Sequence, residues 1–178
     1  MELLIGQKVA YPSQGVCMVE EIQNRTIGES LISFYSLRVV SDNSIIFVPL
    51  SNAETVGIRP IISSKQCKRL IHDLSANFED ISCDWKVRSR EFTEKLQSGD
   101  VFEAADVLKK LTFLSNEKKL SFREQTLLEK AKFLIVSEIE CAGLVESDEI
   151  GVRVCRLVES ACTKHLRTQP RVLSNSAH

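Results

Sequence analysis

The sequence predicts an α+β protein of two domains, a small N-terminal antiparallel β-barrel followed by a compact all-α helical bundle. Two observations support this prediction. Before residue 60, short segments rich in Val, Ile and aromatic residues are separated by Gly, Pro and Asn. After Arg59-Pro60, apolar residues recur every three or four positions, which is the period of an α-helix. We therefore assign residues 1–60 to the β domain, residues 61–166 to the helical domain and residues 167–178 to a flexible tail.

The β domain contains four candidate strands: Gln7–Tyr11, Gly15–Ile22, Leu31–Val40 and Ile45–Val48. Pro12 and Pro49 end the first and the last strand, because proline cannot donate a hydrogen bond to a sheet. The run Ser41-Asp42-Asn43-Ser44 is a turn that joins the last two strands into a hairpin. Short strands joined by tight turns are typical of a small barrel, and such a barrel rarely encloses a catalytic cleft.

Apolar stripes at helical spacing mark the elements of the second domain. They run through Cys67–Phe78, Trp85–Leu96, Val101–Leu111, Leu127–Ile139 and Ile150–Ala161. Asp100 is a candidate N-cap, with Glu103 at the capping-box position, and Ser121-x-x-Glu124 is a second capping box. These signals predict a bundle of helices with short connections.

Composition excludes several classes of protein. A chain with 43% hydrophobic and 26% charged residues is an ordinary globular protein, so extended disorder is excluded. No apolar run approaches the roughly 20 residues of a membrane-spanning helix, and Met1–Gly6 lacks the basic start of a secretion signal. We therefore expect a cytoplasmic protein with no membrane partner. Because the net charge is −1, any contact with nucleic acid requires a local basic patch.

Residues that carry chemistry are scattered along the chain. The six cysteines form no Cys-x-x-Cys pair, so we expect reduced, mostly buried thiols and no metal site. The chain has no glycine-rich phosphate loop and no Gly-x-Ser-x-Gly sequence. Its three histidines are isolated, and an isolated helical histidine is more often structural than catalytic. The sequence therefore predicts a protein that is not an enzyme and needs no cofactor.

One cluster of residues indicates a binding function. The only tryptophan, Trp85, lies in the first turn of a predicted helix that Asp84 or Ser82 can cap. Arg88 follows at i+3, on the same side of the helix, and Lys86 and Arg90 flank the ring. An apolar wedge among cations is typical of proteins that open a base step from the minor groove. A tryptophan of the helical core, with solvated cations around it, fits the same pattern.

Two ordered sets of motifs resemble a known family. The first comprises Tyr11-Pro12, Gly15-Val16, Arg25-Thr26-Ile27, Val48-Pro49, Asn52-Ala53 and Val56-Gly57-Ile58-Arg59. The second comprises Trp85, Arg88, Arg90, Lys95-Leu96, Ser98-Gly99-Asp100, Lys109, Leu111 and Lys119-Leu120-Ser121 with Glu124. Their order and spacing resemble the CarD/CdnL family of bacterial transcription regulators, over roughly residues 5–140.

The resemblance implies a fold and a function. The β domain would be Tudor-like, as in transcription–repair coupling factors, and would dock on the β subunit of RNA polymerase. The helical domain would reach promoter DNA at the upstream edge of the transcription bubble, and a tryptophan wedge in the minor groove would stabilise the open complex. The protein would need no cofactor, would bind DNA weakly and with low sequence specificity by itself, and would act as a monomer on the polymerase.

Site residues follow by position. Trp85 would be the wedge, with Lys86, Arg88 and Arg90 meeting the DNA. Arg25, Phe47 and Pro49 would contact the polymerase.

Two positions depart from some members of the family. Phe47 replaces an interface arginine, which makes the polymerase contact more apolar or weaker. Gln125 replaces a basic residue, which removes one phosphate contact and flattens the salt dependence of binding by about one unit of slope.

Two other functions also fit the sequence. In one, the protein is an adaptor whose helical domain docks another protein and does not touch DNA. In the other, it is a thiol-based sensor that uses its cysteines.

Overall fold

A computed structural model describes residues 2–143 and 149–168. Its first part is an antiparallel sheet with the strand order β4-β3-β2-β1-β5. The strands are β1 (Lys8–Tyr11), β2 (Gly15–Ile27), β3 (Ser30–Val39), β4 (Ile45–Pro49) and β5 (Arg59–Pro60). The predicted α+β fold is confirmed, with an antiparallel sheet followed by helices, and the sheet is open and does not close into a barrel. A 3-10 turn and a short helix, α1 (Ala53–Val56), join β4 to the two-residue β5, and these two edge strands do not pair.

The hairpin of β2 and β3 is longer than the sequence pattern indicates. We predicted that the strand ends at Ile22, but β2 continues to Ile27 and pairs with β3 as far as Ser30. This extension lies beyond the core, so most of its side chains are exposed on both faces. Alternation of apolar and polar residues ends where the core ends, while the backbone ladder continues.

Helices make up the second part, at the predicted stripes. They are α2 (Ser64–Leu74), α3 (Trp85–Gln97), α4 (Val101–Glu117), α5 (Phe122–Ala142) and α6 (Ile150–Thr168). Phe78 packs in the core but lies beyond the end of α2. The predicted tail begins inside α6, since Arg167 and Thr168 are helical, and residues 169–178 lie outside the described residues. None of the described helices is long and apolar enough to cross a membrane.

Helix capping follows the sequence closely. The Asp84 and Asp100 side chains accept hydrogen bonds from the first turns of α3 and α4, and Ser121 with Glu124 forms the predicted capping box of α5. Glu103 does not complete a box at α4; its carboxylate lies 3.1 Å from the Lys95 ammonium group instead. These caps satisfy backbone N–H groups that have no partner within the helix.

A half-buried ion pair holds the sheet against the bundle. Arg59 of β5 donates to the Glu138 carboxylate of α5 at 2.9 Å and to the Gly99 carbonyl at 2.8 Å. Glu138 also accepts a hydrogen bond of 3.0 Å from the Ile62 backbone N–H. We refer to these contacts as the interdomain clamp. They tie the end of the sheet to α5 and to the turn before α4.

The turn between β1 and β2 packs on the helices next to this clamp. A Cβ added at Gly99 would lie 3.0 Å from the Pro12 ring, and one added at Gly15 would lie 3.0 Å from the Phe133 ring. Both glycines have positive φ, at +79° and +87°. The Tyr11-Pro12, Gly15 and Gly99 motifs therefore allow the two parts of the chain to approach each other closely.

Candidate functional site

The three residues predicted to contact the polymerase share one face of the sheet. Side chains on one face of a sheet alternate along each strand, so cross-strand partners point the same way. Three cross-strand pairs lie on this face: Arg25 with Ile32, Phe34 with Pro49, and Ser36 with Phe47. We refer to Arg25, Ile32, Phe34, Phe47 and Pro49 as the sheet face. Strand β4 lies at the edge of the sheet, so its outer backbone groups do not pair with another strand.

A cation–π contact joins the two central residues of the sheet face. The Arg25 guanidinium carbon lies 4.0 Å from the centre of the Phe47 ring. Its position is also fixed by a hydrogen bond of 2.9 Å to the Gln23 side chain. Phe47 remains 39% exposed. Arginine and aromatic residues on a flat, exposed surface are typical of protein–protein contacts.

Trp85 is not a core residue. It is the first residue of α3, and 63% of its surface is exposed. The Asp84 side chain fixes the turn beneath it by accepting a hydrogen bond of 2.8 Å from the Lys86 backbone N–H. The structure thus excludes the interpretation of Trp85 as part of the helical core. An apolar ring of this size in water is typical of a binding surface.

Two of the predicted cations lie beside Trp85. The Lys86 ammonium group lies 5.8 Å from the centre of the indole ring. Arg90 is exposed one turn further along α3, and its only ion pair within the described residues is a long one, 3.9 Å, to Glu94. Together with Arg123 of α5, these residues line an open groove of about 390 Å³. Three cations and one acidic residue, Glu94, therefore line the groove beside the indole.

Arg88 does not lie where we predicted it. Its side chain is only 5% exposed and donates to the Glu124 carboxylate at 2.7 Å and to the Ser82 carbonyl at 2.8 Å. The guanidinium is therefore occupied and does not reach solvent as a phosphate ligand would. The helical spacing that places Arg88 on the side of Trp85 also turns it toward α5. We correct its role to that of a positioning residue that joins α3 to α5.

Glu124 is the partner that makes this position possible. Burial raises the pKa of the Glu124 carboxyl, but hydrogen bonds from Ser121 and from the Arg88 guanidinium outweigh it and lower the pKa to about 2. The carboxylate is therefore ionised at neutral pH and pairs fully with Arg88. The pair connects the first turn of α3 to the first turn of α5.

A second group of exposed residues, which the apolar stripes do not indicate, lies at this end of the bundle. Phe122 is the first residue of α5 and is 89% exposed. Lys118, Lys119 and Arg123 surround it in the chain and line a groove of about 510 Å³ with Trp85. One signal was present, since Phe122 is a large apolar residue that directly follows an N-cap and precedes the apolar stripe. We refer to the exposed residues Trp85, Lys86, Arg90, Lys118, Lys119, Phe122 and Arg123 as the helical tip.

Burial makes four of the six cysteine thiols less reactive. Cys17, Cys67 and Cys162 are buried, Cys141 and Cys155 are half-buried, and Cys83 is exposed. Burial raises the pKa of the Cys17 and Cys162 thiols to about 11, and it also raises the pKa of Cys67 and Cys141. A thiol with a raised pKa is a poor nucleophile. In the described part of the chain, no group of three His, Cys, Asp or Glu residues is placed to hold a metal ion.

Comparisons with known proteins cover both parts of the chain. A family model for the CarD-like/TRCF RID domain matches residues 3–62, and one for the CarD C-terminal domain matches residues 69–154. The chain is 28% identical over 136 residues to the Bacillus subtilis (strain 168) protein named "Putative transcription factor YdeB"; the match spans 76% of this chain and 89% of that protein.

Among the solved structures similar to this chain is one of a CarD domain. It is the solution NMR structure of the 72-residue N-terminal domain of Myxococcus xanthus CarD, with 30% identity and a TM-score of 0.29. The match covers 33% of this chain and 79% of that one. Since both family models match in order, one on the sheet and one on the helices, this chain belongs to the CarD/CdnL family of bacterial transcription regulators.

Proposed function

We propose that this protein stabilises the open promoter complex by docking its sheet face on the RNA polymerase β subunit and inserting Trp85 at the upstream edge of the bubble. Family membership supports a transcription-associated, RNA polymerase-interacting role. The finer steps rest on the geometry of the sheet face and the helical tip. The mechanism is differential binding and involves no catalysis.

The exposure of Trp85 is the observation that carries the proposal. An indole that stays in water loses the 1.5–3 kcal/mol or so that burial of a large apolar side chain provides. Insertion at a base step buries the ring and recovers this free energy. The cations Lys86 and Arg90 can hold the flanking phosphates. Because the wedge fits an unstacked step better than an intact duplex, it favours the melted state by the difference in binding free energy.

The near-neutral charge of the chain explains why the polymerase is needed. With a net charge of −1, the protein has no overall electrostatic attraction to DNA. Binding of the sheet face to the polymerase makes the DNA contact intramolecular and raises its effective concentration. The interdomain clamp supports this step, because it holds the helical tip at a set position relative to the sheet face.

The lifetime of the open complex tests the proposal. It is measured on a promoter with the matching polymerase holoenzyme, without the protein, with the wild type and with Trp85→Ala. We expect a longer lifetime with the wild type and loss of most of that effect with Trp85→Ala, while binding to the polymerase is unchanged. Val152→Ala is a matched control, since Val152 is an exposed apolar residue of α6 outside the tip.

An adaptor function predicts a different result. If Trp85→Ala lengthens the lifetime as the wild type does, the wedge does not act on the bubble. If the wild type binds the polymerase and changes no lifetime on several promoters, the helical domain serves a protein partner. Unfolding of Trp85→Ala is not expected, because substitutions at exposed positions change stability by about 0.5 kcal/mol or less.

A further inference from the structure

Phe122 is the most exposed large apolar side chain in the described part of the protein. It is the first residue of α5, and its neighbours Ser121 and Glu124 are fixed by the capping box. Its backbone position is therefore well defined, while 89% of its surface faces solvent. The core does not require this ring, because the apolar stripe of α5 begins only at Leu127. An aromatic ring in this position needs a partner outside the chain.

The structure brings Phe122 to the same end of the bundle as Trp85. Each ring starts a helix, and the buried pair Arg88–Glu124 joins the first turns of these helices at 2.7 Å. Arg88 lies three residues after Trp85, and Glu124 lies two residues after Phe122. Trp85 and the neighbours of Phe122, Ser121 and Arg123, line one groove. Trp85 therefore lines this groove, and Phe122 lies in the chain between two residues that line it.

The charge of this surface favours a polyanion. Lys118, Lys119 and Arg123 are exposed around Phe122, and Lys86 lies beside Trp85. Among the described residues, neither Lys119 nor Arg123 has an ion-pair partner, and Lys118 has only a long contact of 3.9 Å to Glu124. The chain as a whole carries a net charge of −1, so this concentration of weakly paired cations is local.

We propose that Phe122, with Lys118, Lys119 and Arg123, forms a platform for an unpaired DNA strand next to the step that Trp85 occupies. This inference rests on the proposed function and adds a second contact to it. One exposed base of the melted strand stacks on the Phe122 ring, and the cations hold the phosphates on either side. Aromatic rings beside a basic groove are the elements by which proteins bind single strands without sequence preference.

Binding to forked DNA tests the platform. The full-length protein is titrated at low salt into a labelled duplex that ends in an unpaired oligothymidine arm, and into a blunt duplex of the same length. We expect the wild type to prefer the forked DNA, and Phe122→Ala to lose roughly tenfold of its affinity for it. Affinity for the blunt duplex should stay nearly unchanged. Phe122→Trp should retain the preference, because it keeps a ring that can stack.

Controls separate a lost contact from a lost fold. Val152→Ala should bind both DNA molecules as the wild type does. Phe122→Ala should melt at the wild-type temperature, since the ring makes almost no contact within the chain. Arg123→Ala should reduce the slope of log affinity against log salt by about one unit.

The outcomes distinguish the platform from the wedge. If Phe122→Ala keeps the full preference for forked DNA while Trp85→Ala loses it, the platform is refuted and the wedge stands. If neither substitution changes the preference, the platform is refuted, and the open-complex lifetime with polymerase decides the wedge. If Phe122→Ala weakens binding to the polymerase in the absence of DNA, Phe122 contacts protein and the platform is again refuted.

Discussion

The sheet face and the helical tip both expose an aromatic ring next to a cation, but the two arrangements differ. On the sheet face, the Arg25 guanidinium lies 4.0 Å above the Phe47 ring and covers it. At the tip, the Lys86 ammonium group lies 5.8 Å from the Trp85 ring, which stays 63% exposed. A covered ring offers a flat, mixed surface to another protein, whereas an uncovered ring can insert between bases.

The supports of the two surfaces differ as well. The sheet face rests on a hairpin that extends beyond the core, so it depends on backbone pairing. The tip rests on a buried ion pair between the first turns of α3 and α5. Loss of one side chain should therefore affect the tip far more than the sheet. The following substitutions test this difference.

Arg88→Ala should have the largest effect. It leaves the buried, ionised Glu124 carboxylate with only a long contact of 3.9 Å to Lys118, and breaking a buried pair costs about 3–5 kcal/mol. The free energy of unfolding, measured by urea denaturation, should fall by about that amount. Arg90→Ala is the matched control on the same helix. Because this side chain is exposed, its loss should change the free energy of unfolding by about 0.5 kcal/mol or less. Equal stability of the two variants would contradict the positioning role of Arg88.

Arg59→Ala should have the next largest effect, because it opens the interdomain clamp. Its loss leaves Glu138 buried without a charged donor. We therefore expect the free energy of unfolding to fall by about 1.5–3 kcal/mol. Binding to the polymerase alone and to forked DNA alone should persist, while the lengthening of the open-complex lifetime is lost. If the lifetime effect survives in a folded Arg59→Ala protein, the clamp does not link the two surfaces.

Arg25→Ala and Phe47→Ala should weaken polymerase binding without changing the tip. Each removes one half of the cation–π contact on the sheet face, and we expect about a tenfold loss of affinity, or about 1.4 kcal/mol. Titration calorimetry with the purified polymerase measures the change. Lys68→Ala, an exposed cation on α2, is the control. Unchanged affinity in both variants would show that the polymerase does not contact this face.

Acid should destabilise the protein through the tip. The pKa of Glu124 is about 2 in the folded chain and near 4.5 for a free carboxyl, so its contribution to stability is complete above the latter value. This contribution should be lost as the pH falls from about 4.5 toward 2. Asp106 adds to the effect, because Lys95 and Lys110 lower the pKa of its carboxyl despite its burial. Glu124→Gln should show a shallower decline of the unfolding free energy over this range, and an identical decline would contradict the pairing.

Much of this structure follows from local sequence signals, and its exceptions have physical reasons. Helix starts at Asp84, Asp100 and Ser121 were predictable, because a cap is a local arrangement of few residues. The extension of β2 to Ile27 was not, because backbone pairing there continues without a core. Closure of the sheet also depends on whether the edge strands β4 and β5 pair with each other. The apolar periodicity within each strand carries no information about that pairing.

The candidate site was predictable only in part. Trp85 could be singled out by its place at a helix start, but whether its ring is exposed or part of the core depends on packing. Arg88 shares the sequence spacing of a phosphate ligand, yet its partner Glu124 lies 36 residues away in the chain. Phe122 stood outside the apolar stripe of α5, which is the signal that could have found it.

The emission of Trp85 tests the central claim most directly, because it is the only tryptophan of the chain. Forked promoter DNA is added to the protein bound to polymerase, and the spectrum of an identical complex containing Trp85→Phe is subtracted. Insertion of the ring at a base step predicts strong quenching by forked DNA, protection from an added soluble quencher, and little change with intact duplex. Emission that stays unchanged while DNA binding is confirmed would contradict the wedge.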